Sequence, residues 1–243
     1  MLIDLHVHTS YSEDFEVPLN EVVERCKERG IQAIVLAECD LVPPLEEVKK
    51  LSEELAFPIF IGVDIDASDG RALGVPRDPS DERFVNQCWA EDGDDFQLRD
   101  VVDAFKELGG VVLAAHPYLD DGGPALGDRV FRVKGLAGIQ VACGVKADMS
   151  NDLALEAANS MALPTAGGSD TGPEGQRLGS YATMFAQEIT SQDELVDALA
   201  EGLFWAVEIR EPTQPRPSRS RSRGGRRGRG GGRGGRGGHG GRR

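Results

Sequence analysis

Three of the four histidines, His6, His8 and His116, stand where short apolar runs end. His6 and His8 close Leu2-Ile3-Asp4-Leu5-His6-Val7-His8, and His116 closes Val111-Val112-Leu113-Ala114-Ala115-His116. In an extended segment alternate side chains share a face, so Asp4, His6 and His8 point one way and Leu5 and Val7 the other. Burying Leu5 and Val7 then brings both imidazoles into the interior of a sheet or barrel. Neutral imidazole is the commonest metal ligand, and an H-x-H pair on one strand can hold one ion with little entropy left to lose. The ordinary alternative, one satisfied core histidine and one exposed, fits a lone His better than this pair.

The elements that must position these residues alternate along the chain. Strands are expected at residues 2–7, 31–36, 58–63, 111–115, 137–141, 163–166 and 204–208, with amphipathic helices at 19–29, 44–55, 95–108, 151–161 and 191–201. Gly30, Gly109 and Gly202 mark helix stops, and Ser191 with Glu194 forms a capping box. About seven strand–helix steps in one domain predict an α/β fold with a parallel sheet closed into a barrel. In such a barrel the reacting residues gather at the strand C-terminal ends. That rule selects His6, His8 and Asp14 after the first strand, then Glu38, Cys39 and Asp40, Asp64 and Asp66, and finally His116 and Asp170. Few basic residues accompany them, which suits a divalent-metal site better than a salt-bridge network. Glu38, Asp40 and Asp66 are expected to form a solvated acidic rim.

Charge divides the chain of 243 residues sharply. Residues 1–210 carry 16 Lys+Arg against 40 Asp+Glu, a net charge of −24, whereas residues 211–243 carry 11 Arg and one Glu, a net charge of +10. The first part is long enough for one sizeable core, so a barrel domain over 1–210 and a disordered Arg/Gly-rich tail over 211–243 are expected. The tail lacks the apolar residues that could offset ordering entropy. Its Ser-Arg and Arg-Gly-Gly runs suit phosphate contacts and guanidinium stacking, so RNA or single-stranded nucleic acid is an expected partner. A solubilising extension or an intramolecular partner for the acidic body is the alternative. No stretch of about 18 apolar residues is present to span a bilayer, so no membrane partner is expected. Met1 leads into the ligand strand without a signal-like segment, and Cys26, Cys39, Cys88 and Cys143 form no C-x-x-C pair. A cytoplasmic location with reduced thiols is the expectation.

Several segments together resemble a known family. Residues 4–14 (D-L-H-V-H-T-S-Y-S-E-D), 37–40 (A-E-C-D), 62–64 (G-V-D), 114–118 (A-A-H-P-Y) and 167–172 (G-G-S-D-T-G) are similar, in order and spacing, to the motifs of the PHP (polymerase and histidinol phosphatase) superfamily. The closer likeness is to its small stand-alone members. The resemblance implies a distorted (β/α)7 TIM-like barrel with a centre of manganese, zinc or iron ions that hydrolyses phosphate esters. By matching position it implies His6, His8, Asp14, Asp64, His116 and Asp170 as ligands.

This chain departs from that pattern at telling places. Cys39 stands where the family has a histidine, Arg71 where a G-H-x-L-G histidine often lies, and Gly172 where S-D-A-H ends; the bridging glutamate is Asp64, one methylene shorter. Cys39 can ligate as a thiolate and would favour a softer ion such as zinc. Arg71 cannot ligate, because guanidinium stays protonated, but it can pair with a carboxylate or a substrate phosphate. One or two ions are therefore expected, with Asp64, His116 and Arg71 nearest the chemistry. The expected activity is hydrolysis of a nucleotide or other small phosphorylated substrate by a metal-activated water. The alternative is a catalytically impaired PHP-like scaffold or binding module with an RNA-binding tail.

Overall fold

The computed structural model describes residues 1–88, 96–120, 123–144 and 148–210. The expectation of a disordered tail at 211–243 lies outside the described residues. Nine strands form one sheet: β1 (Leu2–Val7), β2 (Ala33–Cys39), β3 (Ile59–Ala67), β4 (Gly70–Val75), β5 (Val111–Ala114), β6 (Gly138–Cys143), β7 (Thr165–Gly168), β8 (Tyr181–Phe185) and β9 (Phe204–Glu208). The spatial order is β7-β6-β5-β4-β3-β2-β1-β8-β9. Helices α1 (Leu19–Glu28), α2 (Leu45–Leu55), α3 (Glu82–Val85), α4 (Leu98–Glu107), α5 (Asp148–Met161) and α6 (Gln192–Glu201) occupy the connections. None of the described helices is long and apolar enough to cross a membrane.

Local sequence explains most of these elements. In α1, Leu19, Val22, Val23 and Cys26 recur at helical spacing and are buried. In α6, Ser191 accepts a bond from the Glu194 amide and Gly202 closes the helix in the left-handed conformation. Strand β1 keeps the expected alternation only in part: Ile3 and Leu5 join the cluster with α6, but Val7 joins the cluster with α1, because the pairing with β2 shifts register between Asp4 and Val7. One apolar cluster gathers α1, α4 and α5 against the sheet, and a second joins Ile3 and Leu5 to Leu195, Val196 and Leu199 of α6.

The expected barrel is present as a nearly closed sheet, but two strands were absent from the sequence reading. β4 pairs antiparallel with both β3 and β5, and β8 pairs antiparallel with β1 and β9, so the sheet is mixed rather than wholly parallel. The β3–β4 hairpin has a consequence for chemistry, since its register sets Arg71 opposite Asp66.

Closure occurs where β7 returns to β1 and β8, and side chains perform it. Thr183 Oγ1 accepts from the Gly167 amide at 2.9 Å and donates to the Gly167 carbonyl at 2.8 Å. Asp4 accepts from the Ser169 amide at 2.8 Å and from its hydroxyl at 2.5 Å. The Asp170 amide donates to the His6 carbonyl at 2.9 Å. The approach depends on glycine, because a Cβ on Gly168 would lie 2.5 Å from His6 Cβ and 2.8 Å from the His6 nitrogen. Gly168→Ala is expected to cost about 1–3 kcal/mol through overpacking, read as a lower urea midpoint at unchanged slope. An unaltered midpoint would show that the seam can spread without loss.

Candidate metal centre

The strand ends bring His6, His8, Cys39, Asp64, His116 and Asp170 together. His6 Nε2 lies 3.2 Å from Asp64 Oδ2, and His8 Nε2 lies 3.9 Å from the same oxygen and 3.5 Å from Asp170 Oδ1. The His6 and His116 rings stack at 5.7 Å, and Cys39 Sγ sits 3.7 Å from His8 Nδ1. Among the described residues three groups could hold an ion with their ligand atoms within 4.8 Å of one another: His6–His8–Asp170, His8–Cys39–Asp64 and His116–Cys143–Asp170.

Two of these positions rest on unusual backbone. Asp170 and Thr171 have positive φ of 49° and 20°, and His116, held just before Pro117, has φ of 24°. Such conformations cost on the order of 1–3 kcal/mol each and persist only where surroundings enforce them. Thr171 Oγ1 accepts from the His8 amide at 2.7 Å and donates to the His8 carbonyl at 3.1 Å, tying the strained turn to the ligand strand. Arg177 Nε holds the Asp170 carbonyl at 2.8 Å.

The donor set suits a cation by its unsatisfied atoms. His6 Nε2, Asp64 Oδ1 and His116 Nε2 are buried without a hydrogen-bond partner among the described residues. His6 Nε2 is at ion-pair distance from Asp64 Oδ2. Orphaned buried polar atoms are costly, and a shared ion would satisfy them. Bond lengths of about 2.0–2.3 Å separate neighbouring tetrahedral ligands by roughly 3.3–3.7 Å, close to the His6–Asp64 and His8–Asp170 distances.

Electrostatics point the same way. Burial works against the His6 imidazolium, but the Asp64 and Asp170 charges outweigh it and push His6 up to about 9. The reciprocal effect overcomes burial at Asp64 and Asp170 and holds both carboxyls below the usual range. Burial and then the His6 charge hold His116 below its ordinary value. Burial, followed by the charges of Asp64, Glu38 and Asp66, pushes the Cys39 thiol up, so its thiolate needs a cation beside it.

The other expected residues fall in different places. Asp14 is exposed and belongs to none of the three groups, but it lines a cleft of about 410 Å³ that His8, Cys39, Asp64 and Asp170 of the centre also line. Arg71 lines the same cleft and donates from Nε to Asp66 Oδ1 at 2.6 Å. Asp66 is half exposed and Asp40 exposed, in keeping with a rim. Glu38 corrects that expectation: it is fully buried and accepts from the Thr9 amide at 2.9 Å, the Thr9 hydroxyl at 2.5 Å and the Ser12 hydroxyl. It fastens the loop after β1 rather than facing water. Ser169 is buried with its hydroxyl committed to Asp4, which removes it as a nucleophile.

Two residues at the site, both on β6, were missed from sequence. Cys143 donates to Asp170 Oδ2 at 3.3 Å. Gln140 Nε2 donates to the Gly168 carbonyl at 3.3 Å, which turns Oε1 towards His6 Nδ1 at 3.0 Å. Neutral His6 must then carry its proton on Nδ1 and present the Nε2 lone pair to the centre. A lone amide within an apolar strand was the available signal.

Fold and site together define an α/β-barrel protein with a histidine–carboxylate–thiol centre of the metal-binding type. The PHP domain family model matches residues 4–164 and the PHP-associated model residues 148–203; the chain belongs to the PHP-domain family. The protein MJ1587 of Methanocaldococcus jannaschii is 28% identical over 155 residues, 58% of this chain and 81% of its own. Among solved structures, a Bifidobacterium adolescentis protein provisionally described as a metal-dependent phosphoesterase shares the fold at TM-score 0.59 and 19% identity, over 82% of this chain and 96% of that one. A Chromobacterium violaceum protein described as an amidohydrolase, with bound sulfate and no metal, matches at TM-score 0.61 and 18% identity, over 86% and 98%.

Gln140→Leu is expected to weaken metal affinity about 10–100-fold, measured by competition with a chelating dye. Unchanged affinity would mean that β1 alone orients His6.

Proposed function

We propose that the chain is a metal-dependent phosphoesterase acting on a nucleotide or other small phosphorylated substrate. The observation that carries this reading is the convergence of three buried, unpartnered ligand atoms, His6 Nε2, Asp64 Oδ1 and His116 Nε2, beside a cleft that also holds Arg71 and Arg177. A divalent ion of manganese, zinc or iron bound there would lower the pKa of a water and neutralise charge on phosphoryl oxygens. His6, His8, Asp64 and Asp170 would hold the first such ion, with Cys39 at the cleft mouth as a further donor.

The chain's own cations supply the rest. Arg71 and Arg177 present guanidinium groups along the cleft, suited to charge-assisted bonds with phosphoryl oxygens. Arg71 would exchange part of its contact with Asp66 for the substrate. Residues 1–210 carry a net charge of −24, which repels polyanions at long range, so a small phosphoester is admitted more easily than a polymer.

A second reading, a scaffold or binding module with impaired catalysis, is favoured by the same two arginines. Arg71 stands where the family resemblance expects a ligand, and Arg177 Nη2 lies 3.3 Å from Asp170 Oδ1, a fixed positive charge beside a ligand position. Assays of a phosphomonoester and nucleotide panel with manganese, zinc and iron in turn separate the readings. Turnover that requires added ion and falls to background in His6→Ala is expected. Silence across the panel would overturn the phosphoesterase and leave the scaffold.

For residues 211–243 we propose RNA or single-stranded nucleic acid as the partner, supported by their 11 arginines and lack of acidic residues beyond Glu211. Deleting them should abolish salt-sensitive retention on immobilised RNA while leaving small-substrate hydrolysis intact. Retention that survives deletion would put the binding site in residues 1–210.

A further inference from the structure

We infer that the outer face of α5, with the 3₁₀ segment Gly127–Arg132 packed beside it, is a self-association surface whose occupant is a second copy of this chain. It requires neither a bound metal nor turnover.

The first observation is that α5 buries small side chains and exposes large ones. Helices α1 and α4 turn Leu, Val and Phe side chains inward, as an amphipathic helix does. In α5 the inward residues are Ala154, Ala157 and Ala158, whereas Met149 is 75%, Leu155 43% and Leu153 40% exposed. Phe131, 48% exposed, continues the apolar surface on the adjacent 3₁₀ segment. Single exposed apolar side chains are ordinary, but several gathered on two packed elements mark an interaction site.

Helical geometry orders that surface. Met149 and Leu153 are one turn apart and share a flank with Glu156, while Leu155 occupies the opposite flank. This flank faces Gly127–Arg132. Burial, the Asp128 bond and charge, and then the Glu156 charge push the Tyr118 phenol up, and Tyr118 donates to Asp128 at 3.0 Å.

The second observation is the charge around it. Asp152 and Glu156 stand one turn apart on α5, and Arg132 and Lys134 follow Phe131. All four are exposed, and none makes an ion pair among the described residues. Acids thus border the apolar surface on one element and bases on the other. A two-fold contact sets each residue against a different one twice. Laying α5 of one copy on Phe131 of the other therefore places Asp152 and Glu156 opposite Arg132 and Lys134 in both halves. Such pairing offsets the long-range repulsion between two bodies whose residues 1–210 each carry a net charge of −24. Residues 211–243 offer no matching surface, since apart from three prolines they hold no apolar side chain.

Sedimentation velocity of the full chain tests the inference. A concentration-dependent equilibrium between monomer and dimer is expected, and Met149→Glu with Leu153→Glu should raise its Kd by at least about 100-fold. Reversing Arg132 and Lys134 to Glu, or Asp152 and Glu156 to Lys, should also give monomers. An equimolar mixture of those two charge variants should regain the dimer, because each supplies the sign that the other lacks. All six positions are exposed, so unchanged circular dichroism is expected throughout. A wild-type chain that stays monomeric at about 100 µM would overturn the dimer and leave the face to a different protein. A dimer indifferent to the Met149 and Leu153 changes would overturn the surface, and a mixture that stays monomeric would overturn the two-fold pairing.

Discussion

The close contact between the end of β7 and β1 governs everything else in the molecule. Here the sheet closes without a regular ladder, through Asp4 gripping Ser169, Thr183 bracketing Gly167, and a single backbone bond from Asp170 to His6. The missing Cβ atoms of Gly167 and Gly168 let the strands approach, with Gly167 set against the Ala182 carbonyl and Gly168 against His6. The chain then turns through Asp170, Thr171 and Gly172, all at positive φ, and Thr171 bonds both backbone groups of His8. Asp170 is thereby returned to the two imidazoles it must face. Barrel closure and construction of the centre are one event.

That closure concentrates groups that repel or strand one another without a cation. Asp64 and Asp170 face imidazoles at the largely buried floor of the cleft, and three ligand atoms lack hydrogen-bond partners among the described residues. A proton on His6 offsets part of this cost, which is why the imidazolium is favoured despite burial. An ion would offset more, since it serves several donors at once. Arg177 also contributes positive charge, but its stronger contacts are with the Asp170 carbonyl, so it steadies the strained turn as well. Burial likewise turns Glu38 and Asp4 into tethers: each carboxylate spends its oxygens on hydroxyl and amide donors from another part of the chain.

Much of the architecture was legible because period is a local property. The helical spacing in α1 and the Ser191 cap follow from neighbours in sequence, whereas the register shift in β1 between Asp4 and Val7 does not. β4 was not legible, since Gly-Arg-Ala-Leu-Gly-Val is short, glycine-flanked and contains an arginine; its strand state comes from antiparallel partners on both sides. Glu38 was misjudged for a related reason. A carboxylate at a strand end reads as solvated until a returning loop, here Thr9 to Ser12, covers it. Gln140 and Cys143 escaped notice because β6 is an apolar run whose interior polar group acquires meaning only beside His6 and Asp170.

By itself the sequence determined which residues could ligate, the strand ends that carry them and the barrel class, because residue chemistry and hydrophobic period are written locally. It also determined the charge division at residue 210. Only the tertiary structure decided which donors share a neighbour: that Asp170 faces His8 with one oxygen and Cys143 with the other, that Asp14 stays at the cleft, and that Arg71 lies on Asp66. The physical reason is distance along the chain. Asp170 lies 27 residues from Cys143 and far along the chain from His8, and only closure of the sheet brings such donors within reach of one ion.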